Sequence, residues 1–129
     1  MPKLNDEAHD ILVNRRNDLV NKFKTEFAVV FMGDTHIGMN DGNNQLYYQK
    51  VLNRVVVQEK KDKNIIAAFD GGDLADTDNM TLMQTFKSTT ESILFKKNSG
   101  DKIPLFGNIG NHEYIHNKAL ALAYNSLIG

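Results

Sequence analysis

Three short apolar runs, each ending in glycine and a polar cluster, restrict the fold of this chain more than any other feature. Phe27 to Met32 leads into Gly33-Asp34-Thr35-His36-Ile37-Gly38. Asn64 to Phe69 leads into Asp70-Gly71-Gly72-Asp73, and Lys102 to Phe106 leads into a glycine-punctuated loop, Gly107 to His112. Short apolar runs bounded by turn residues read as buried strands. Between them, apolar residues recur at helical spacing. A helix from about 45 to 61 puts Tyr48, Leu52, Val55 and Val56 on one face, and a helix over 78–96 does the same with Leu82, Met83, Phe86, Ile93 and Leu94. A last helical stretch, about 114 to 127, turns Ile115, Ala119, Leu120, Ala123 and Leu127 inward. Ahead of the first strand, residues 5–24 form an amphipathic helix with Leu4, Ala8, Leu12, Leu19 and Phe23 on its stripe and Asn5 or Asp6 as its cap.

The order is one helix, then strand–helix three times. That alternation predicts an α/β fold with a parallel sheet and right-handed crossovers. Chemistry in such sheets gathers outside the carboxyl ends of the strands. All three polar clusters are therefore expected on one rim. The first helix is read as a cover for the sheet, with a partner-docking surface as the alternative.

Composition narrows the chemistry. The 129 residues carry a net charge of −1, so charge gives no footprint for nucleic acid or an anionic membrane, although nucleic acid is not excluded. There is no cysteine, which removes disulfides, thiolate metal sites and thiol catalysis. Any metal must be held by oxygen and nitrogen. No apolar run is long enough to span a bilayer, and the first ten residues are too polar for a signal peptide, so a cytoplasmic protein is expected.

Taken singly, each cluster has a bland explanation. Asp-x-His is a common turn or cap, Gly-Gly-Asp is a common turn, and Asn111 could simply open a helix. Three clusters of carboxylate, imidazole and amide at three strand ends are harder to explain as caps. Those donors suit hard or borderline divalent cations. Two such ions about 3.5–4 Å apart clamp the attacking and leaving oxygens of a phosphoryl transfer and generate hydroxide near neutral pH. Two other readings stay open. One is a non-catalytic α/β binding or assembly module, and the other a hydrolase with Asp34 as nucleophile.

Asp34-Thr35-His36, Gly72-Asp73-Leu74-Ala75-Asp76 and Gly110-Asn111-His112-Glu113 resemble, in order and spacing, the motifs of the calcineurin-like metallophosphoesterases. The resemblance covers about residues 27 to 120. It implies a metal-dependent phosphatase or phosphodiesterase with two divalent ions, of Mn, Fe, Zn, Ni or Co. Asp34 and His36 would ligate the first metal, Asp73 would bridge both, and Asn111 would ligate the second. His112 would act on the leaving group, oriented by Glu113, with Asp34 a second candidate for that role. Asp76 matches a family position and is read as supporting or structural. Gly107-Asn108 is a rival match three residues early, set aside because only Asn111 is followed by His-Glu. Thr77 and Ile109 stand where the protein Ser/Thr phosphatase branch has arginines. The string Asp-Thr-His-Ile-Gly is similar to the exonuclease branch.

The family also uses a later histidine and a Gly-His-x-His motif. The four histidines here are His9, His36, His112 and His116, and none can supply them. His9 is read as solvated and His116 as a surface helix residue. The resemblance therefore implies residues 27–129 to be the N-terminal half of such a domain, half of a four-layer α/β/β/α sandwich, with residues 1–26 an added helix; a piece of a longer enzyme is the favoured explanation, with a short degenerate member and a site completed by oligomerising as the alternatives. A half-domain should expose an apolar sheet face or edge and self-associate.

Overall fold

A computed structural model of the chain describes residues 2–22, 26–75, 80–96, 102–108 and 118–129. Helix α1 spans Leu4–Asn21, strand β1 Ala28–Met32, helix α2 Asn43–Asp62, strand β2 Ile65–Asp70, helix α3 Met80–Leu94, strand β3 Leu105–Gly107 and helix α4 Lys118–Ala123. A π-helical turn, Tyr124–Ile128, follows α4. The strands form one parallel sheet in the order β1-β2-β3, so the α/β expectation is met. Phe23, Ile115 and His116 lie outside the described residues, as do the starts of the third and fourth expected helices.

That strand order has a consequence. Right-handed crossovers that always step in one direction leave their helices on one face. Tyr48, Leu52 and Val55 of α2 and Met83, Phe86 and Leu94 of α3 share a single buried core with Ala68 and Leu105 of the sheet. Tyr48 stacks on Phe86 with ring centroids 5.2 Å apart. Leu4 and Ala8 of α1 and Ile128 join the same core. Among the described residues, no helix packs on the other face. There Phe31, Phe69 and Phe106 sit in register on adjacent strands and stack at 5.6 and 5.5 Å. Phe31 is 77% exposed and Val29 44%. A parallel sheet is normally covered on both faces, so this aromatic ladder is an unmet packing demand of the described residues.

Helix α1 is fastened to the sheet by polar groups that its apolar stripe does not reveal. Asn5 is not a helix cap: the helix starts at Leu4, with Lys3 at the cap position and no capping side chain. The Asn5 side chain instead accepts from Gly107 N at 2.8 Å and donates to Gly107 O at 3.0 Å, an edge-strand pairing made by an amide. Glycine suits position 107, because a Cβ there would lie 2.8 Å from Ile128 Cγ2 and 3.3 Å from Leu74 Cδ1, and those side chains would have to shift. Further along α1, Arg15 is buried against Glu59 of α2.

Glu7 of α1 is half-buried beside Glu91 of α3. Burial, then the hydrogen bond and repulsion from Glu91, push its carboxyl up to about 7 against the opposing pull of Lys87 and Lys102. A pKa raised above the unfolded value stabilises the fold at low pH, fully below about 4.5, and that contribution fades as pH rises through 7. Glu7→Gln should therefore raise stability at pH 8, by on the order of 1 kcal/mol because water screens a half-buried group. It should leave stability near pH 4.5 unchanged. Urea melts at the two pH values check the sign, and an equal effect at both would refute it.

Candidate metal centre

The parallel ladder of β1 and β2 does not stop where the strands end. Gly71 N donates to Met32 O at 2.7 Å, Asp34 N to Gly72 O at 3.1 Å, His36 N to Asp73 O at 2.9 Å and Ile37 N to Leu74 O at 3.0 Å. Ile37 and Ala75 close this run with an isolated parallel bridge. The loop after β1 and the loop after β2 thus run side by side at the carboxyl rim, tied by main-chain bonds.

Left-handed backbone aims the side chains. Asp34, His36 and Asp73 have φ of 52°, 46° and 53°, three of the six described non-glycine residues in that region. Asp and His tolerate it better than most residues, but each still costs free energy that the surroundings must offset. Such strain concentrates at sites that use it. Gly72, at φ 122°, takes a conformation that side-chain-bearing residues rarely adopt.

The outcome is a convergence. One donor atom each from Asp34, His36 and Asp73 lie within 4.8 Å of one another. His36 Nε2 is 3.9 Å from Asp73 Oδ2, too long for a hydrogen bond. Donors about 2.1 Å from a shared cation sit ~3–4 Å apart, so small side-chain rotations would close the set. Asp34 is exposed, while His36 and Asp73 are mostly covered. Two carboxylates and an imidazole fit a divalent cation chemically, with water completing its shell. Asn111, His112, Glu113 and Asp76 lie outside the described residues. His9 is on the exposed side of α1, 69% accessible.

Two supporting residues escaped sequence reading. Asn44, in the first turn of α2, donates to the carbonyls of Thr35 and His36 at 3.3 and 3.2 Å and accepts from Asn40 Nδ2 at 2.7 Å. Asp70, taken as a turn residue, is the last residue of β2 and is fully buried. Its Oδ1 accepts Gly72 N at 3.1 Å, and its Oδ2 accepts the Thr35 hydroxyl. Burial first, and then the Asp70 charge, push the Tyr48 phenol above its ordinary range despite its 2.7 Å contact with Thr90 Oγ1, so Tyr48 stays neutral. The signal for Asp70 was present: an acid closing an apolar strand must be paired if buried.

Over 90 residues, 68% of its length, the chain is 32% identical to the DNA double-strand break repair protein Mre11 of Methanosarcina acetivorans. The match spans 14% of that relative's length. No protein-family profile matches the chain, and no solved structure matches it. The likeness to Mre11 is one to the metallophosphoesterase superfamily at most. No helix among the described residues is long and apolar enough to cross a membrane.

Proposed function

We propose that this chain contributes part of the active centre of a metal-dependent phosphoester hydrolase. The observation that carries the reading is the convergence of Asp34, His36 and Asp73 at the sheet's carboxyl rim. The partial likeness to Mre11 supports it. In this reading Asp34 and His36 hold one cation. Asp73 is shared with a second, whose other ligand would be Asn111. His112, oriented by Glu113, would serve the leaving group. Bound divalent metal supplies hydroxide near neutral pH and neutralises phosphate charge. The protein's own part is to hold two carboxylates and an imidazole in place before the ion arrives. Because the relative is a DNA repair protein, a nucleic-acid phosphodiester is the first substrate class to test, ahead of phosphoproteins and small phosphate esters.

Calorimetric titration with Mn²⁺ is the direct test. Saturable binding in the millimolar range or tighter, with hydrolysis of an aryl phosphodiester by a longer protein that contains this chain, is the expected result. No heat of binding up to millimolar Mn²⁺ would favour a non-catalytic module.

The open aromatic face favours a companion reading, in which the chain associates with copies of itself. Burial of aromatic rings is strongly favourable, and Phe31 leaves most of its surface in water. Sedimentation at rising concentration should show dimers or larger species, reverted toward monomer by Phe31→Lys. A wild-type chain that stays monomeric at high concentration rules this out.

A further inference from the structure

Asp70 is a charged residue where the fold alone would be served by an apolar one. It is fully buried, at the end of the central strand, paired in register with Met32 and Gly107. An uncompensated carboxylate in such a place costs several kcal/mol by the usual scale of ion burial. Two of its hydrogen bonds go to the two rim loops, one to each. Oδ2 takes the Thr35 hydroxyl, and Thr35 is the residue between Asp34 and His36. Oδ1 takes Gly72 N, and Gly72 immediately precedes Asp73. Three of the residues flanked by these anchors are the converging donors, all with left-handed φ. Backbone under that strain relaxes unless something over-determines it. Hydrogen bonds to an ionised carboxylate are the stronger kind.

We propose that Asp70 is a positioning residue of the metal site, a carboxylate strap that holds the Asp34–His36 loop and the Asp73 loop at the spacing a cation requires. The proposal rests on the metal reading given above. It differs from a purely structural role because it ties Asp70 to affinity for the ion and not only to folding. Partners behind metal ligands typically change affinity by roughly 10- to 100-fold.

Four variants separate the possibilities. Thr35→Val removes one arm from a half-buried loop residue, and Thr35→Ser restores the hydroxyl. Asp70→Ala removes both arms. Asp70→Asn keeps an oxygen for Gly72 N and offers an amide donor to the Thr35 hydroxyl, which can accept. Two readouts are taken on each: the Mn²⁺ dissociation constant, and hydrogen exchange at the Asp34 and His36 amides in metal-free protein. Thr35→Val and Asp70→Ala should weaken Mn²⁺ binding roughly 10- to 100-fold and deprotect those two amides, while the core amides stay protected. Thr35→Ser and Asp70→Asn should stay near wild type. Wild-type affinity and protection in Thr35→Val would overturn the strap and leave the metal reading intact. Asp70→Asn as weak as Asp70→Ala, with Thr35→Val normal, would also overturn it, since charge alone would then be acting. If wild type binds no Mn²⁺ yet Thr35→Val deprotects the loop amides, the metal reading fails and with it the positioning role, which leaves Asp70 a structural tie between the two loops. Should Asp70→Ala fail to fold, the Thr35 pair decides.

Discussion

Asp73→Asn should abolish measurable Mn²⁺ binding and, in any active protein containing this chain, phosphodiester hydrolysis. Asp73 Oδ2 lies 3.9 Å from His36 Nε2, within the converging set. An amide removes one negative charge and turns one oxygen into an NH₂ group that cannot coordinate a cation. A lost ligand should weaken affinity by on the order of 100-fold or more, above the range seen for residues that only support ligands. Asparagine is the right probe because it tolerates the left-handed φ of 53° that Asp73 adopts. His36 N binds the Asp73 carbonyl, which the substitution leaves untouched. Thermal unfolding should therefore stay close to wild type. Calorimetry on a folded variant that still binds Mn²⁺ as wild type does would remove Asp73 from the site.

The second large effect concerns stability. Glu59 and Arg15 are buried together, and between them they satisfy both peptide groups of Ile65, the first residue of β2. Glu59 Oε1 accepts Ile65 N at 3.0 Å, Arg15 Nε donates to Ile65 O, and Arg15 Nη2 donates to Glu59 Oε2. Arg15 Nη1 also reaches Lys102 O at 3.3 Å, just ahead of β3. The pair thus joins α1, α2 and the entry to two strands. Glu59→Ala would leave a buried guanidinium without its counter-ion and a buried amide without its acceptor. Removing one partner of a buried pair typically costs about 3–5 kcal/mol, a large share of the ~5–15 kcal/mol a domain possesses. Urea denaturation of Glu59→Ala, Arg15→Met and the double variant checks this. The double variant should lose less than the sum of the two single losses, since no buried charge is stranded, although the Ile65 peptide groups lose their side-chain partners. Additive losses, or a Glu59→Ala effect near zero, would refute the coupling.

The local elements of this fold were legible because their signals are short-range. Strand β1 was expected over 27–32 and is found at Ala28–Met32, and α2 was expected from about 45 to 61 and is found at Asn43–Asp62. Alternating buried runs with amphipathic stretches leaves few arrangements other than a parallel sheet. The same local reasoning misjudged residues whose partners are remote. Asn5 looks like a cap next to its own helix, yet it pairs with Gly107, 102 positions away. Arg15 carried no sequence reading at all, because its partner Glu59 lies 44 positions along the chain. Asp70 reads as a strand breaker because its function depends on a hydroxyl in another loop.

What the amino-acid order decided by itself was which residues would end each strand, and therefore which donors could be offered at the rim. Spacing along one chain cannot say whether Asp34 and Asp73 face each other, because 39 positions separate them and more than one register of β1 on β2 keeps the same side chains on the buried face. The tertiary structure settled that by continuing the β1–β2 ladder through Gly72, Asp73 and Leu74 and by bending the donors inward with left-handed backbone. It also settled which face the described helices cover, since crossovers of one hand stepping in one direction put the helices packed in the core on one side.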